Sequence, residues 1–176
     1  MTDAELERAL GELPPRPGAM QFSLEANRLT ARGLRILATA ELPAILLLNL
    51  DGNPIGDEGL EVLAATPRFD TIGVLHLRAT GISSQGLSSA LSRIGDSWTL
   101  RDLDVSENPI GDAAVDWLLA FRERELVTHL AMERVGLSRQ GATRLAESTD
   151  LERLTYLALL GHRHRPADLR QSLRAR

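Results

Sequence analysis

The sequence predicts an α/β solenoid in which short parallel strands line one face, helices line the other, and coil stacks on coil. Three observations predict it. The stretch Leu48 to Leu63, reading LNLDGNPIGDEGLEVL, passes from period-two apolar spacing (Leu48, Leu50) through the turn signal Asn53-Pro54 to the helical spacing of Leu60, Leu63 and Ala64. The same spacing returns every 26–28 residues, with anchors at Phe22, Leu48, Leu75, Leu103, Leu130 and Leu157. A unit this short cannot bury its own apolar side, so it must stack on copies of itself.

Taken in order, residues 1–19 read as an N-terminal capping helix and linker. Thr2 and Glu5 form a capping box, Leu6, Leu10 and Leu13 recur at helical spacing, and Pro14-Pro15 stops the helix. The open end of the first coil offers its apolar stripe a surface; a docking helix for a partner is the alternative. Residues 20–160 form the array, about six repeats. Three residues before the anchors lie Ile45, Ile72, Leu100, Val127 and Leu154; two after lie Leu24, Leu50, Leu77, Val105, Met132 and Leu159. The position five after the anchor reads Asn27, Asn53, Thr80, Asn108, Val135, His162. The helix half keeps a small residue at Gly33, Gly59, Gly86, Ala114 and Gly141, and in the second coil Asp57 is the expected helix N-cap. Trp98 reads as a lid on the core, and Trp117 as a partly exposed residue of the helix layer, with self-association through it as the alternative. Residues 161–176 read as a basic C-terminal cap or tail, with Leu169 and Leu173 on one side of a helix starting near Pro166. Its arginines suit a helix C-terminus; an anion or nucleic-acid contact is the alternative.

The repeats alternate. Those at Leu48 and Leu103 share NPIGD (Asn53–Asp57, Asn108–Asp112), and those at Leu75 and Leu130 share G-[IL]-S-x-Q-G (Gly81–Gly86, Gly136–Gly141). On these motifs the chain resembles the leucine-rich-repeat proteins, and within them the long alternating type of ribonuclease inhibitor. The resemblance covers roughly residues 20–165. It implies a right-handed, short horseshoe with the parallel sheet on the concave face, helices on the convex face and helical caps at both ends. It also implies that Asn27, Asn53 and Asn108 hydrogen-bond the turn backbone in a ladder, which the change to Thr80 and Val135 interrupts. It does not fix a function, because this scaffold serves many unrelated partners.

Composition narrows the chemistry. The 176 residues, 43% hydrophobic and 3% aromatic, suit one domain with an aliphatic core, and a net charge of −4 argues against nucleic acid. All 20 basic residues are Arg, which excludes P-loop lysine and Schiff-base chemistry. The chain has no Cys, so disulfides, thiolate catalysis and Cys-bound metals are excluded, as is kinship in activity with repeat-bearing ubiquitin ligases. Residues 1–19 show no leader pattern, and no apolar run approaches the ~20 residues of a membrane span. A cytoplasmic protein with no cofactor and no membrane contact is expected.

Function is expected on the open face of the sheet. Period two turns the anchors inward and the residues at −1, +1 and +3 outward. The candidate partner-binding residues are Asp51, Val74, His76, Arg78, Asp102, Asp104, His129, Glu133, Tyr156 and Leu160. Three cross-strand pairs look complementary: Asp51 with Arg78, His76 with Asp104, and Asp102 with His129. Such pairs stabilise a sheet whether or not they bind anything. Asp102, His129 and Ser106 hold the residue types of a hydrolase triad, but Ser106 sits on a flat strand without oxyanion donors. His76 and His129 stand two strands apart, ~9–10 Å at the backbone, too far for one metal. No catalytic, cofactor or metal residue is therefore assigned. The expected function is a non-enzymatic protein–protein interaction module whose concave face holds another protein. The alternative is a GTPase-activating or other regulatory protein, similar to the Ran GTPase-activating proteins, although that family carries an acidic tail where residues 161–176 are basic. Self-assembly is a third reading.

Overall fold

The repeating apolar spacing folds as one sheet backed by one layer of helices. The computed structural model describes residues 1–14, 18–91, 99–116, 127–147, 155–159 and 162–164. Its strands are β1 (Met20–Ser23), β2 (Ile45–Asn49), β3 (Val74–His76), β4 (Asp102–Asp104), β5 (His129–Ala131), β6 (Tyr156–Leu159) and β7 (His162–His164). The helices are α1 (Asp3–Gly11), α2 (Ala31–Thr39), α3 (Gly56–Ala65), α4 (Ser84–Leu91) and α5 (Arg139–Glu147), with a further helical turn over 113–116. The strands stand in sequence order; β1 to β6 are parallel and β7 turns back antiparallel to β6. Anchor pairs with anchor at every step, from Phe22 opposite Leu48 to Leu130 opposite Leu157.

That register aligns the aliphatic columns into one core. All six anchors are buried, and so are Ile45, Ile72, Leu100 and Val127 before them and Leu24 to Leu159 after them. Transfer of such a side chain from water contributes about 1.5–3 kcal/mol, so the stack is held chiefly by this spine. Helices pack on their sequence neighbours, α1 on α2, α2 on α3 and α3 on α4. The capping box of Thr2 and Glu5 starts α1, whose Leu6 joins the core. A 3-10 turn, Pro67–Thr71, follows α3 and buries Phe69.

A left-handed residue recurs four after each of the first five anchors, where strand bends toward helix: Ala26, Gly52, Ala79, Glu107 and Arg134, with φ between 52° and 68°. Only Gly52 adopts it without steric cost; for the others it costs roughly 1 kcal/mol, and the stacked coils on either side hold it.

Asp57 is not the cap of its own helix. That position falls to Ile55, without a side-chain bond, and the Asp57 carboxylate reaches the next coil instead, accepting from the amide and hydroxyl of Ser83 at 2.6 Å each. Asp112 does the same to Ser138, at 2.8 and 2.5 Å, and Asp3 to Thr30, at 2.9 and 2.7 Å. The reason for a small residue at Gly33, Gly86 and Gly141 follows: a Cβ there would meet the aspartate at 2.6, 2.1 and 2.0 Å respectively. The segment expected as a C-terminal helix, and Trp98 and Trp117, lie outside the described residues.

Candidate functional site

The face of the sheet opposite the helices carries nine of the ten candidate residues; Leu160 lies outside the described residues. Alternation along β3, β4 and β5 turns Leu75, Leu103 and Leu130 inward. It leaves Val74, His76, Asp102, Asp104 and His129 at least partly open to solvent. Tyr156 is half-buried at the start of β6. Two members of the outward columns are in fact buried, Ser106 and Ala158. Both are small, and Ser106 Oγ accepts the amide of Glu133 at 3.0 Å, which binds the hydroxyl into the turn.

The three expected charge pairs are partners in register or in neighbouring turns, yet their side chains choose other contacts. His76 stands opposite Asp104, but its Nε2 approaches Asp102 Oδ1, at 3.9 Å. His129 stands opposite Asp102, but its ring stacks on Tyr156, centroids 5.9 Å apart and planes at 22°, with Nδ1 2.9 Å from Thr128 Oγ1. Asp51 meets Arg78 through the backbone: its Oδ1 accepts the Arg78 amide at 2.8 Å. The Arg78 guanidinium goes to Glu107 at 2.8 Å, and Arg134 binds the same carboxylate oxygen. Asp104 Oδ1 accepts the amide of Ser106 at 2.8 Å, two residues on, as Asn49 Oδ1 does for Asp51 at 3.0 Å. These short side chains cap the strand ends before they can pair across the sheet.

The electrostatics follow from these contacts. Burial raises the Asp51 pKa; the Arg78 amide opposes the rise and the charge of Asp104 adds to it. The bond from Arg78 lowers Glu107, with help from Arg134, and the same bond raises Arg78. Counting the strand and turn positions −1, +1, +3 and +4, the face carries Glu25, Asp51, Asp102, Asp104, Glu107 and Glu133 against Arg78 and Arg134. That gives the face a net charge of −4 among the described residues. Between β3 and β6 a shallow pocket of about 290 Å³ is lined by His76, Asp102, Asp104, His129, Ala131 and Tyr156.

Glu107, which organises the two arginines, was not among the residues expected from the sequence. It sits in the +4 column, where a left-handed turn swings it over the face. The visible signal was an acid flanked by Arg78 and Arg134 in the adjacent coils. Among the described residues no group of three or more His, Asp or Glu could hold a metal ion, and no helix is long and apolar enough to cross a membrane.

Comparison with known proteins agrees with this architecture. A leucine-rich-repeat profile matches residues 45–64 and 98–116. A ribonuclease inhibitor from Sus scrofa is 35% identical over 82 residues, 46% of this chain and 18% of the inhibitor. A Tonsoku-like protein from Danio rerio is 26% identical over 147 residues, 77% of this chain and 10% of that protein. The chain therefore spans less than a fifth of the length of either relative. Repeats of this kind generally mediate contacts between proteins.

Proposed function

We infer that this chain, a leucine-rich-repeat protein, is a non-enzymatic interaction module that grips another protein through the open face of its sheet. The observation that carries the reading is the concentration of charge and aromatic surface there. The sheet presents an acidic strip with the stacked rings of His129 and Tyr156 beside it, on β5 and β6. Aromatic anchors amid polar groups supply both contact area and orientation in protein interfaces. The likeness to a protein named for inhibiting a ribonuclease supports a protein as the partner. Ser106, the serine of the triad-like set, is buried and its hydroxyl oxygen accepts the Glu133 amide.

The test begins with a pull-down read by mass spectrometry, followed by titration of the purified partner. Alanine at Asp104, His129 or Tyr156 is expected to weaken binding by about tenfold or more each, the scale of an interface anchor. Alanine at exposed Arg32 on α2 is expected to leave it unchanged. Equal affinity across all four variants removes the open face from consideration. A GTPase assay with the partner separates simple binding from activation.

A further inference from the structure

The pocket at the centre of the open face has a composition that selects one kind of side chain. We propose that it receives an arginine projected by the partner protein, an assignment that rests on the open face being the docking surface. One wall is aromatic: the stacked rings of His129 and Tyr156, on adjacent strands in register. The other is anionic. Among the described residues Asp102 has the long contact to His76 at 3.9 Å, and Asp104 has one hydrogen bond, from the Ser106 amide.

A guanidinium is planar, stacks on aromatic faces and forms paired bonds to carboxylates, so it uses both walls at once. A lysine ammonium uses the carboxylates and gains less from the rings. An anion meets the net −4 of the surrounding face, and a metal ion lacks the ligand set among the described residues. At about 290 Å³ the shallow pocket lies at the small end of ligand sites. It suits a single side chain. The same face already holds guanidinium groups: Arg78 and Arg134 both close on Glu107. Among the described residues no arginine lines the pocket, and a partner's guanidinium completes it.

The experiment is an NMR titration of the full chain with four capped tripeptides, Gly-X-Gly, where X is arginine, lysine, citrulline or glutamate. Citrulline keeps the shape of arginine and loses its charge. The arginine peptide is expected to shift the ring signals of His129 and Tyr156 in a saturable way. Citrulline should bind at least about tenfold more weakly, as the loss of a charge-assisted bond requires. Asp102→Asn with Asp104→Asn should weaken arginine binding by a similar factor, and Tyr156→Leu should erase the preference for arginine over lysine. Amide dispersion in each variant reports folding; if the double variant unfolds, Asp102→Asn alone and the citrulline comparison decide. Equal responses to arginine and citrulline, an arginine response insensitive to the aspartates, or silent ring signals overturn the assignment. A partner that weakens on Tyr156→Ala while the arginine peptide stays silent overturns the pocket and leaves the docking face standing.

Discussion

The coils anchored at Leu48 and Leu103 differ from those anchored at Phe22, Leu75 and Leu130 in the polar side chains they send across the joints. Each of the first kind reaches both ways. Backward, Asn108 Oδ1 accepts the amides of Thr80, Gly81 and Ile82 at 3.0, 2.9 and 3.2 Å, while its Nδ2 donates to Leu77 O at 2.7 Å. Asn53 makes the matching contacts to Leu29 N at 3.0 Å and Leu24 O at 2.7 Å. Forward, the left-handed Gly56 and Gly111 donate their amides to Thr80 O and Val135 O, and Asp57 and Asp112 hold Ser83 and Ser138. The NPIGD motif is thus a two-sided fastener. The G-[IL]-S-x-Q-G coils receive: serine bonds the aspartate, and Gly86 or Gly141 leaves the space for it. The absence of asparagine at Thr80 does not break the ladder, because polar contacts arrive from Gly56 on one side and Asn108 on the other; at Val135 the contact shown comes from Gly111.

This difference predicts an order of effects. Asn108→Ala strands buried amides and carbonyls on two coils at once, with Asn108 itself only 1% exposed. A loss of about 3–5 kcal/mol in denaturant unfolding is expected, against well under 1 kcal/mol for Asn27→Ala at the half-buried equivalent. Similar losses at the two sites would contradict the comparison. Asp57→Ala opens only a forward joint and is expected to cost about 1–2 kcal/mol, the scale of a helix cap. Its effect should be non-additive with Ser83→Ala in a double-mutant cycle.

The forward joint also titrates. The bonds from Ser138 hold Asp112 below its ordinary value of 3.8. Folding therefore favours the ionised form; the contribution is fully present above 3.8 and is lost as pH falls through the lowered value. The destabilisation caused by Asp112→Asn should shrink steadily in unfolding curves taken below that pH. Gly33→Ala should cost about 1 kcal/mol despite the better helix propensity of alanine, and the sign should reverse in an Asp3→Ala background, where the close contact is gone.

The smallest effect belongs to the face rather than the joints. Asp51 has a raised pKa, so its ionised form opposes folding as pH rises through that value. Asp51→Asn keeps an acceptor for the Arg78 amide and should stabilise by a few tenths of a kcal/mol at neutral pH after solvent screening.

The spine of the fold was legible because aliphatic spacing is read one coil at a time. Phe22 to Leu157 pair in the register that their spacing implies. The joints were less legible because their side chains act on neighbouring coils. Asp57 reads as a cap by position, and only the stacking shows that its carboxylate bonds Ser83 while its own helix has no side-chain cap. On the face, columns located the residues but not their partners. Side chains as short as Asp104 satisfy the nearest amide first, and a long one such as Arg78 passes over its lateral neighbour to reach Glu107. The antiparallel return of β7 had no warning in the repeat pattern, which ends at Leu159.

The claim that the open face is the docking surface is tested most directly by photo-crosslinking. A photoreactive residue is placed at Asn49 on the sheet side, and separately at Ser88 on the helix side, in otherwise unaltered chains. The account predicts covalent capture of the partner from position 49 and none from position 88. Capture from position 88 alone would contradict it.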